Sequence, residues 1–380
     1  ILCEDKKMKL FQRLLVAPAV LGLLAPISAK ANEVNLNEIS NYSDLEDIDF
    51  ANSFNNDVRT ENPLLAGGEG LVDYSTDSFS STTTASFGSN FYVGAVDEAG
   101  GLNETTTFSY DFSMDLNTSF TGEDSFDVAI IGGNVTSGNT VTSIDAVMAG
   151  DGTGDVLTLD GISYTFPVGD LTVIAGDGVG VDDLNSGACT YSALTDIASD
   201  CGTSSVGGTA DSAVAASYDF GNGFTAAGGI GFGTATVGML SKEDQSTVGL
   251  ELAYAADTYA VSLAYTDNDE TGGDTSFYSI QGSYTPDAAY TVSAGYEFDD
   301  DDADSLFLGL TTEAGPGSLS IAATTQAIAD DHDDNYAYEV SYAYDVNDGM
   351  TVTPGIFIIE NPLVGGDDLF GAVVTSFKRT

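Results

Sequence analysis

The stretch Phe108-Ser109-Tyr110-Asp111-Phe112-Ser113-Met114-Asp115-Leu116-Asn117 alternates large apolar side chains with small or polar ones at every step. A period of two sends successive side chains to opposite faces of an extended backbone, so this segment reads as a strand with one apolar and one wet face. The pattern returns at Tyr259, Val261, Leu263 and Tyr265, interleaved with Ala260, Ser262 and Ala264. It returns again at Tyr336, Tyr338, Val340, Tyr342 and Tyr344, interleaved with Ala337, Glu339, Ser341 and Ala343. About 16 such segments are read between Thr82 and Phe377. Few windows show a period of 3.6, and no stretch beyond the N-terminal leader is apolar enough for a membrane helix.

The connections decide what these strands build. From residue 212 onward, short breaks at Gly221-Asn222-Gly223, Ala255 to Thr258, Thr285 to Ala289, Glu313 to Gly317 and Asp345 to Gly349 alternate with longer acidic ones. The longer ones are Asp267 to Asp274, Asp299 to Asp304, Gln326 to Asn335 and Glu360 to Asp367. Strict short-long alternation of antiparallel connections puts the long loops at one end, the pattern of a transmembrane β-barrel with short periplasmic turns and long external loops. Aromatic pairs beside the turns, Phe220 with Phe224, Tyr254 with Tyr259 and Tyr284 with Tyr290, form the expected girdle at the periplasmic interface. The fold expected is therefore an all-β, antiparallel barrel of about 16 strands at residues 76–380.

The N-terminus fits export. Lys9 and Arg13 precede an apolar run from Leu14 to Ile27, and Ala29-Lys30-Ala31 offers a small-residue cleavage site, so residues 1–31 read as upstream residues and a signal peptide. Residues 32–75, rich in Asn, Asp, Glu and Ser with neither period sustained, read as a periplasmic arm. The chain has 59 acidic and 9 basic residues, and removal of the leader leaves 57 against Arg59, Lys242, Lys378 and Arg379. So acidic a chain excludes a phosphate-neutralising nucleic-acid binder. Its 42% hydrophobic content excludes disorder throughout.

On the strands, Asp111, Asp115, Asp127, Glu251, Glu297 and Glu339 fall on the polar faces. Carboxylates are unfavourable against lipid, so these six are the candidate pore-lining residues, and a lumen lined by them favours cations and small neutral solutes over anions; the alternative is that some of them pair with lumenal hydroxyls or water and do not set selectivity. The longest connection, Asp177 to Asp211, is the third external one and contains Asp182 and Asp183 together with Cys189 and Cys201. An even cysteine pair in an exported chain suggests one disulfide. Two readings of this segment stand: a constriction loop folded into the lumen, or an ordinary extracellular loop stiffened by the bridge. No resident cofactor is expected; Asp299, Asp300, Asp301 and Asp302, with Asp330, Asp331, Asp333 and Asp334, are candidates for Ca²⁺ or Mg²⁺ on external loops, where a solvated acidic surface is the alternative. His332, the one histidine, lies among aspartates of an external loop and forms no Ser-His-Asp arrangement, so no enzymatic activity is expected. Gly229, Gly231 and Gly233 read as strand glycines that fit barrel curvature.

Several blocks carry a family resemblance: Met8-Lys9-Leu10-Phe11-Gln12-Arg13-Leu14-Leu15-Val16-Ala17-Pro18, Leu116-Asn117-Thr118-Ser119-Phe120-Thr121-Gly122-Glu123-Asp124 and Asp160-Gly161-Ile162-Ser163-Tyr164-Thr165-Phe166-Pro167-Val168-Gly169-Asp170. Gly221-Asn222-Gly223-Phe224-Thr225-Ala226-Ala227 and Asn347-Asp348-Gly349-Met350-Thr351-Val352-Thr353-Pro354 continue it. Over the leader and barrel, the chain resembles the outer-membrane porins of cyanobacteria, related to carbohydrate-selective porins of the OprB type and also described as iron uptake porins. The resemblance implies an outer-membrane location, lipid as surrounding partner, small solutes and ions as cargo, and a homotrimer. Two features depart from it. The place of an S-layer-homology domain and coiled coil is taken by the short arm alone, and Phe377 is followed by Lys378-Arg379-Thr380 where such chains end on an aromatic residue. The readings carried forward are a passive cation-preferring pore, a channel specific for iron, other inorganic cations or carbohydrates, and a secreted acidic β-adhesin, which repeat self-similarity would have favoured.

Overall fold

The computed structural model describes residues 83–97, 106–134, 152–203, 206, 212–233, 246–270, 273–287, 289–300, 303–325, 336–360 and 369–379. The leader, the arm, Arg59, Lys242 and His332 lie outside these residues. The strands are β1 (Thr83–Asp97), β2 (Thr107–Thr118), β3 (Ser125–Gly133), β4 (Thr158–Val168), β5 (Leu171–Asp177), β6 (Ser212–Gly221), β7 (Phe224–Phe232) and β8 (Ser246–Ala255). They continue as β9 (Tyr259–Glu270), β10 (Gly273–Asp287), β11 (Tyr290–Asp299), β12 (Asp304–Ala314), β13 (Gly317–Thr325), β14 (Tyr336–Asn347), β15 (Met350–Ile359) and β16 (Leu369–Arg379). Each pairs antiparallel with its neighbours in sequence, and β1 pairs with β16 from Gly88 opposite Arg379 to Asp97 opposite Phe370, closing a 16-stranded barrel. Closure leaves no strand edge in lipid, which a spanning sheet requires.

The two-residue period sorts the faces. On β8, Val248, Leu250 and Leu252 point outward while Thr247, Gly249, Glu251 and Ala253 are buried inside. Leu306 and Leu308 on β12 are more than half exposed, the opposite of a water-soluble core and the face a bilayer covers. Rings gather in two bands on the outer face. Near the turns, Tyr218 meets Phe220 with ring centroids 4.8 Å apart and Phe224 meets Tyr254 at 4.6 Å. Toward the long loops, Tyr265 meets Tyr278 at 5.1 Å and Tyr278 stacks on Phe298 at 5.2 Å. This second band, at the opposite interface, is an addition to the single girdle expected from the sequence. On β11 it places Tyr290 and Phe298 about 26 Å apart along the strand at about 3.3 Å per residue, or about 20 Å of depth after a barrel's usual tilt.

Two expected boundaries move. The acidic loop Asp267 to Asp274 is mostly strand: β9 runs to Glu270, β10 starts at Gly273, and Asp267 faces Ser276 while Asp269 faces Asp274. Aspartate disfavours strands on average, but the hairpin's ladder holds these strand ends in place. Likewise Asp177 is the last residue of β5, its carboxylate accepting the Ser212 hydroxyl at 2.8 Å, so it belongs to the outer rim and not to the loop that follows.

Turns at the other end are tightly specified. Gly221, Asn222 and Gly223 all take left-handed φ (74°, 56° and 86°), which Gly-Asn-Gly permits without strain. In the β2–β3 turn, the Asp124 carboxylate accepts the amides of Phe120 and Thr121, the hydroxyls of Ser119 and Thr121, and the Tyr164 hydroxyl at 2.6 Å. The Tyr164 hydroxyl foremost, with the turn donors, holds this carboxyl well below the usual aspartate range. A depressed folded pKa adds stability above the unfolded value and loses it as pH falls through the folded one, so the contribution persists into strong acid. Asp124→Ala is expected to lower the temperature at which the folded, heat-modifiable gel band converts to the unfolded one by several degrees, with no change in channel size.

Candidate functional site: an inner loop and an acidic wall

Residues 178–203, which follow β5, turn into the barrel. Small inward residues make its seat. A Cβ added at Gly229 would stand 2.6 Å from the Val181 carbonyl oxygen, and one at Gly249 2.7 Å from a Val181 methyl. Cys201 presses on Gly295, Tyr191 on Gly309 and Leu194 on Gly355 in the same way. Gly229 is therefore required for close approach of the loop backbone, which corrects its reading as a curvature residue. Val179 and Val181 bury against Ile174, Ala213 and Ala215, and Tyr191 packs on Phe307 with ring centroids 5.1 Å apart.

Polar anchors alternate with these contacts. Near the start of the loop, Glu251 accepts the amides of Ser186 at 2.6 Å and Gly187 at 3.2 Å. Gln281 donates to the Asp200 carbonyl at 2.9 Å, and the Thr190 and Ser293 hydroxyls bond at 3.3 Å. At the far side, Glu339 accepts the Tyr191 hydroxyl at 2.9 Å, the amides of Leu194 and Thr195 at 2.8 Å each, and the Thr195 hydroxyl at 2.7 Å. Charge-assisted bonds of this kind contribute about 1.5–3 kcal/mol each. Cys189 and Cys201 are joined by a disulfide, Cα atoms 5.9 Å apart. The return limb is a 3-10 segment, Asp196–Gly202, in which Asp200 and Cys201 hold left-handed φ of 47° and 54°. Such backbone costs ~1–3 kcal/mol per non-glycine residue and persists where its surroundings fix it, here the disulfide and the wall at Gly295.

The six wall carboxylates all lie on the interior face, but in different situations. Glu251 and Glu339 are buried under the loop as its anchors, and Glu297 is buried on the same side of the barrel. Asp111 accepts the Tyr92 hydroxyl at 2.6 Å and the Asn90 amide side chain at 2.8 Å. Asp115 is exposed and Asp127 partly so; Asp127 accepts from Asn117 at 2.6 Å and from Ser125 at 2.5 Å. The loop leans on β5–β15 and, through Leu194, on β1 and β16, leaving Asp115, Asn117 and Asp127 of β2–β3 uncovered.

Between the loop and β8–β10 lies a polar chamber of about 220 Å³, lined by Asp182, Asn185, Asp200, Glu251, Ser262 and Gln281 among others. Burial, then the charges of Asp183, Asp200 and Glu251, push the Asp182 carboxyl up; burial does the same to Asp183, and burial with Asp200 to Asp196. Burial and the Glu339 charge push the Tyr191 hydroxyl up, keeping it a donor. Of the cation candidates, Asp299 accepts the Ala303 amide and caps its own turn, while Asp300 accepts the Ser276 amide of β10 and ties the turn to that strand. Asp301, Asp302, Asp330, Asp331, Asp333 and Asp334 lie outside the described residues. Among the described residues no group of three or more His, Cys, Asp or Glu is placed to hold a metal.

A closed 16-strand barrel of this kind has counterparts among known proteins. The family model for Gram-negative porins matches residues 64–356. The chain belongs to the Gram-negative porin family. The porin is similar in structure to OprB from Pseudomonas putida, with a TM-score of 0.61 at 14% identity over 79% of this chain and 94% of that one. An engineered variant of the Rhodobacter blastica porin gives 0.54 at 15% identity over 78% and 100%. At these identities the likeness concerns the fold. Among curated proteins no sequence relative is found.

As a porin, the molecule is an outer-membrane channel for small solutes. Sequence pattern alone selects Glu251 and Glu339 as pore-lining charges and misses their anchoring of the loop. Their donors lie 64 to 148 residues away along the chain, too far for local pattern to reveal. A signal is nevertheless present: glycines at inward positions, where other strands carry Ser, Thr or Ala, mark where another backbone approaches.

Proposed function

We propose that this porin is a passive, water-filled pore that prefers cations, with its passage running between the inner loop and the wall around β2–β3. The observation that carries the reading is the uncovered Asp115 and Asp127 on the interior face, facing a loop that bears Asp182, Asp183 and Asp196. Among the described residues of β1–β15 and the inner loop there is no lysine or arginine; Lys378 and Arg379 stand at the end of β16. Fixed charge of one sign in a narrow aqueous pore raises the local counter-ion concentration. The reading needs no resident cofactor, and a homotrimer is proposed with it on family resemblance.

Reconstituted in planar bilayers, the protein is expected to show stable conductance steps and a reversal potential of cation sign in a KCl gradient; an anion-sign potential overturns the preference. Sugars added to the same bilayer test for a solute-specific site through current block. The preference should also depend on pH. A carboxyl with a raised pKa gains its proton first as pH falls, so loop charge at Asp182, Asp183 and Asp196 is lost above the ordinary aspartate range of about 4. The cation preference should therefore begin to decline above that range, and Asp182→Asn should flatten this early phase. By linkage the neutral form stabilises the docked loop at low pH, and that contribution is lost as pH rises through the folded pKa values.

A further inference from the structure

We propose that Glu339 is a positioning residue that latches the channel's bore: its carboxylate holds the segment Thr190 to Asp200 against the β14–β15 wall as a flap with a docked and an undocked state. The inference rests on the channel reading and adds to it the side chain that fixes the opening.

The latch has two parts at β14–β15, beside the packing of Tyr191, Ala193 and Ala198 on Phe307 and Ala322 of β12–β13. Glu339 is only 3% exposed, and the loop tip alone supplies its four donors, from Tyr191, Leu194 and Thr195. Beside it the Leu194 side chain occupies the space a side chain at Gly355 would fill, in a cluster with Tyr92, Val96, Phe357, Ile359 and Val373. The base of the flap is closed separately. The Cys189–Cys201 disulfide joins its two ends, Glu251 holds the chain just before it, and Cys201 sits on Gly295. Release at the tip therefore leaves the base in place and the barrel ladder untouched. What makes the undocked state accessible is water. A carboxylate freed from four loop donors on the inner wall is rehydrated by the lumen, whereas in a closed core it would remain buried without partners.

Undocking has a signature that mere loosening of the structure lacks. It widens the passage, and it also turns Glu339 from a covered anchor into a charge facing the lumen. Leu194→Ala weakens the latch and keeps the carboxylate, so its wider state should be more cation-selective than the docked one. Glu339→Ala undocks the flap without that charge, so its wider state should be no more cation-selective than the docked one. Glu339→Gln keeps one acceptor oxygen and should fall between.

Single-channel recording of the full protein in KCl tests this. Wild type should hold one main level. Both Leu194→Ala and Glu339→Ala should add a higher-conductance level whose occupancy rises at least about tenfold for each charge-assisted bond, or packing interaction of similar strength, that the substitution removes. A second measurement, the rate at which a phosphine reductant opens the Cys189–Cys201 bridge in detergent-folded protein, should rise in the same variants and does not depend on conduction. Folded Glu339→Ala with wild-type current and wild-type reduction rate overturns the latch, as does equal selectivity in the wide states of the two variants. If Glu339→Ala does not fold, Leu194→Ala carries both readouts. A wild-type protein that folds but passes no current overturns the channel reading instead, and is told apart by the reduction rates.

Discussion

Asp115→Asn with Asp127→Asn is expected to lower the cation-to-anion permeability ratio by about five- to tenfold: each charge acts on an ion in contact at 4 Å with at most about 1 kcal/mol in water, with opposite sign on anions, and most ions pass farther from the wall. Screening over a Debye length of about 8 Å at physiological ionic strength confines the effect to ions close to the wall, where these two side chains stand uncovered. Conductance should change little, because asparagine keeps the volume and much of the bonding to Ser86, Asn117 and Ser125. Asp177→Asn, at the outer rim of β5, serves as the comparison and should have a much smaller effect. The ratio is read from the reversal potential in a salt gradient. An unchanged ratio in the double variant would place selectivity elsewhere, on the loop carboxylates.

Excision of the flap, joining Cys189→Ser to Cys201→Ser through a short glycine linker, is expected to raise single-channel conductance by about two- to fourfold, because a barrel of this strand number encloses an aqueous lumen that the loop then no longer narrows. The barrel itself should still form. Its strand pairing is continuous without the loop, and the flap contributes side-chain contacts to the wall but no ladder bonds. Size exclusion should relax in parallel, measured with neutral polymers of graded radius. Conductance at the wild-type level would mean that another segment sets the bore.

Much of this architecture is legible in the sequence because strand period and loop length report the same geometry independently. The alternation at Phe108 to Asn117 identifies both faces of β2, and the short-long rhythm identifies which end faces the periplasm. Legibility fails where a residue's average behaviour differs from its behaviour in place. Asp267 and Asp269 read as loop because aspartate is uncommon in strands, yet they continue β9 past the aromatic band. Glu251 and Glu339 are recognisable as inward, but inward position alone does not distinguish a charge that meets the passing ion from one that grips a loop. That distinction depends on where residues 179–203 fold, and only the glycines opposite Val181, Tyr191, Leu194 and Cys201 hint at it.

The pairing of β1 with β16 has a consequence for biogenesis. The seam joins segments nearly 300 residues apart, so it can form only after almost the whole chain has been delivered. Closing so long a loop costs about 5 kcal/mol of chain entropy. Until it closes, two strand edges would carry unsatisfied amides and carbonyls into hydrocarbon, at several kcal/mol per group. A chain cut short before Leu369 therefore lacks any low-energy membrane form, and synthesis errors in this protein should be cleared as unfolded periplasmic chains without ever perforating the membrane.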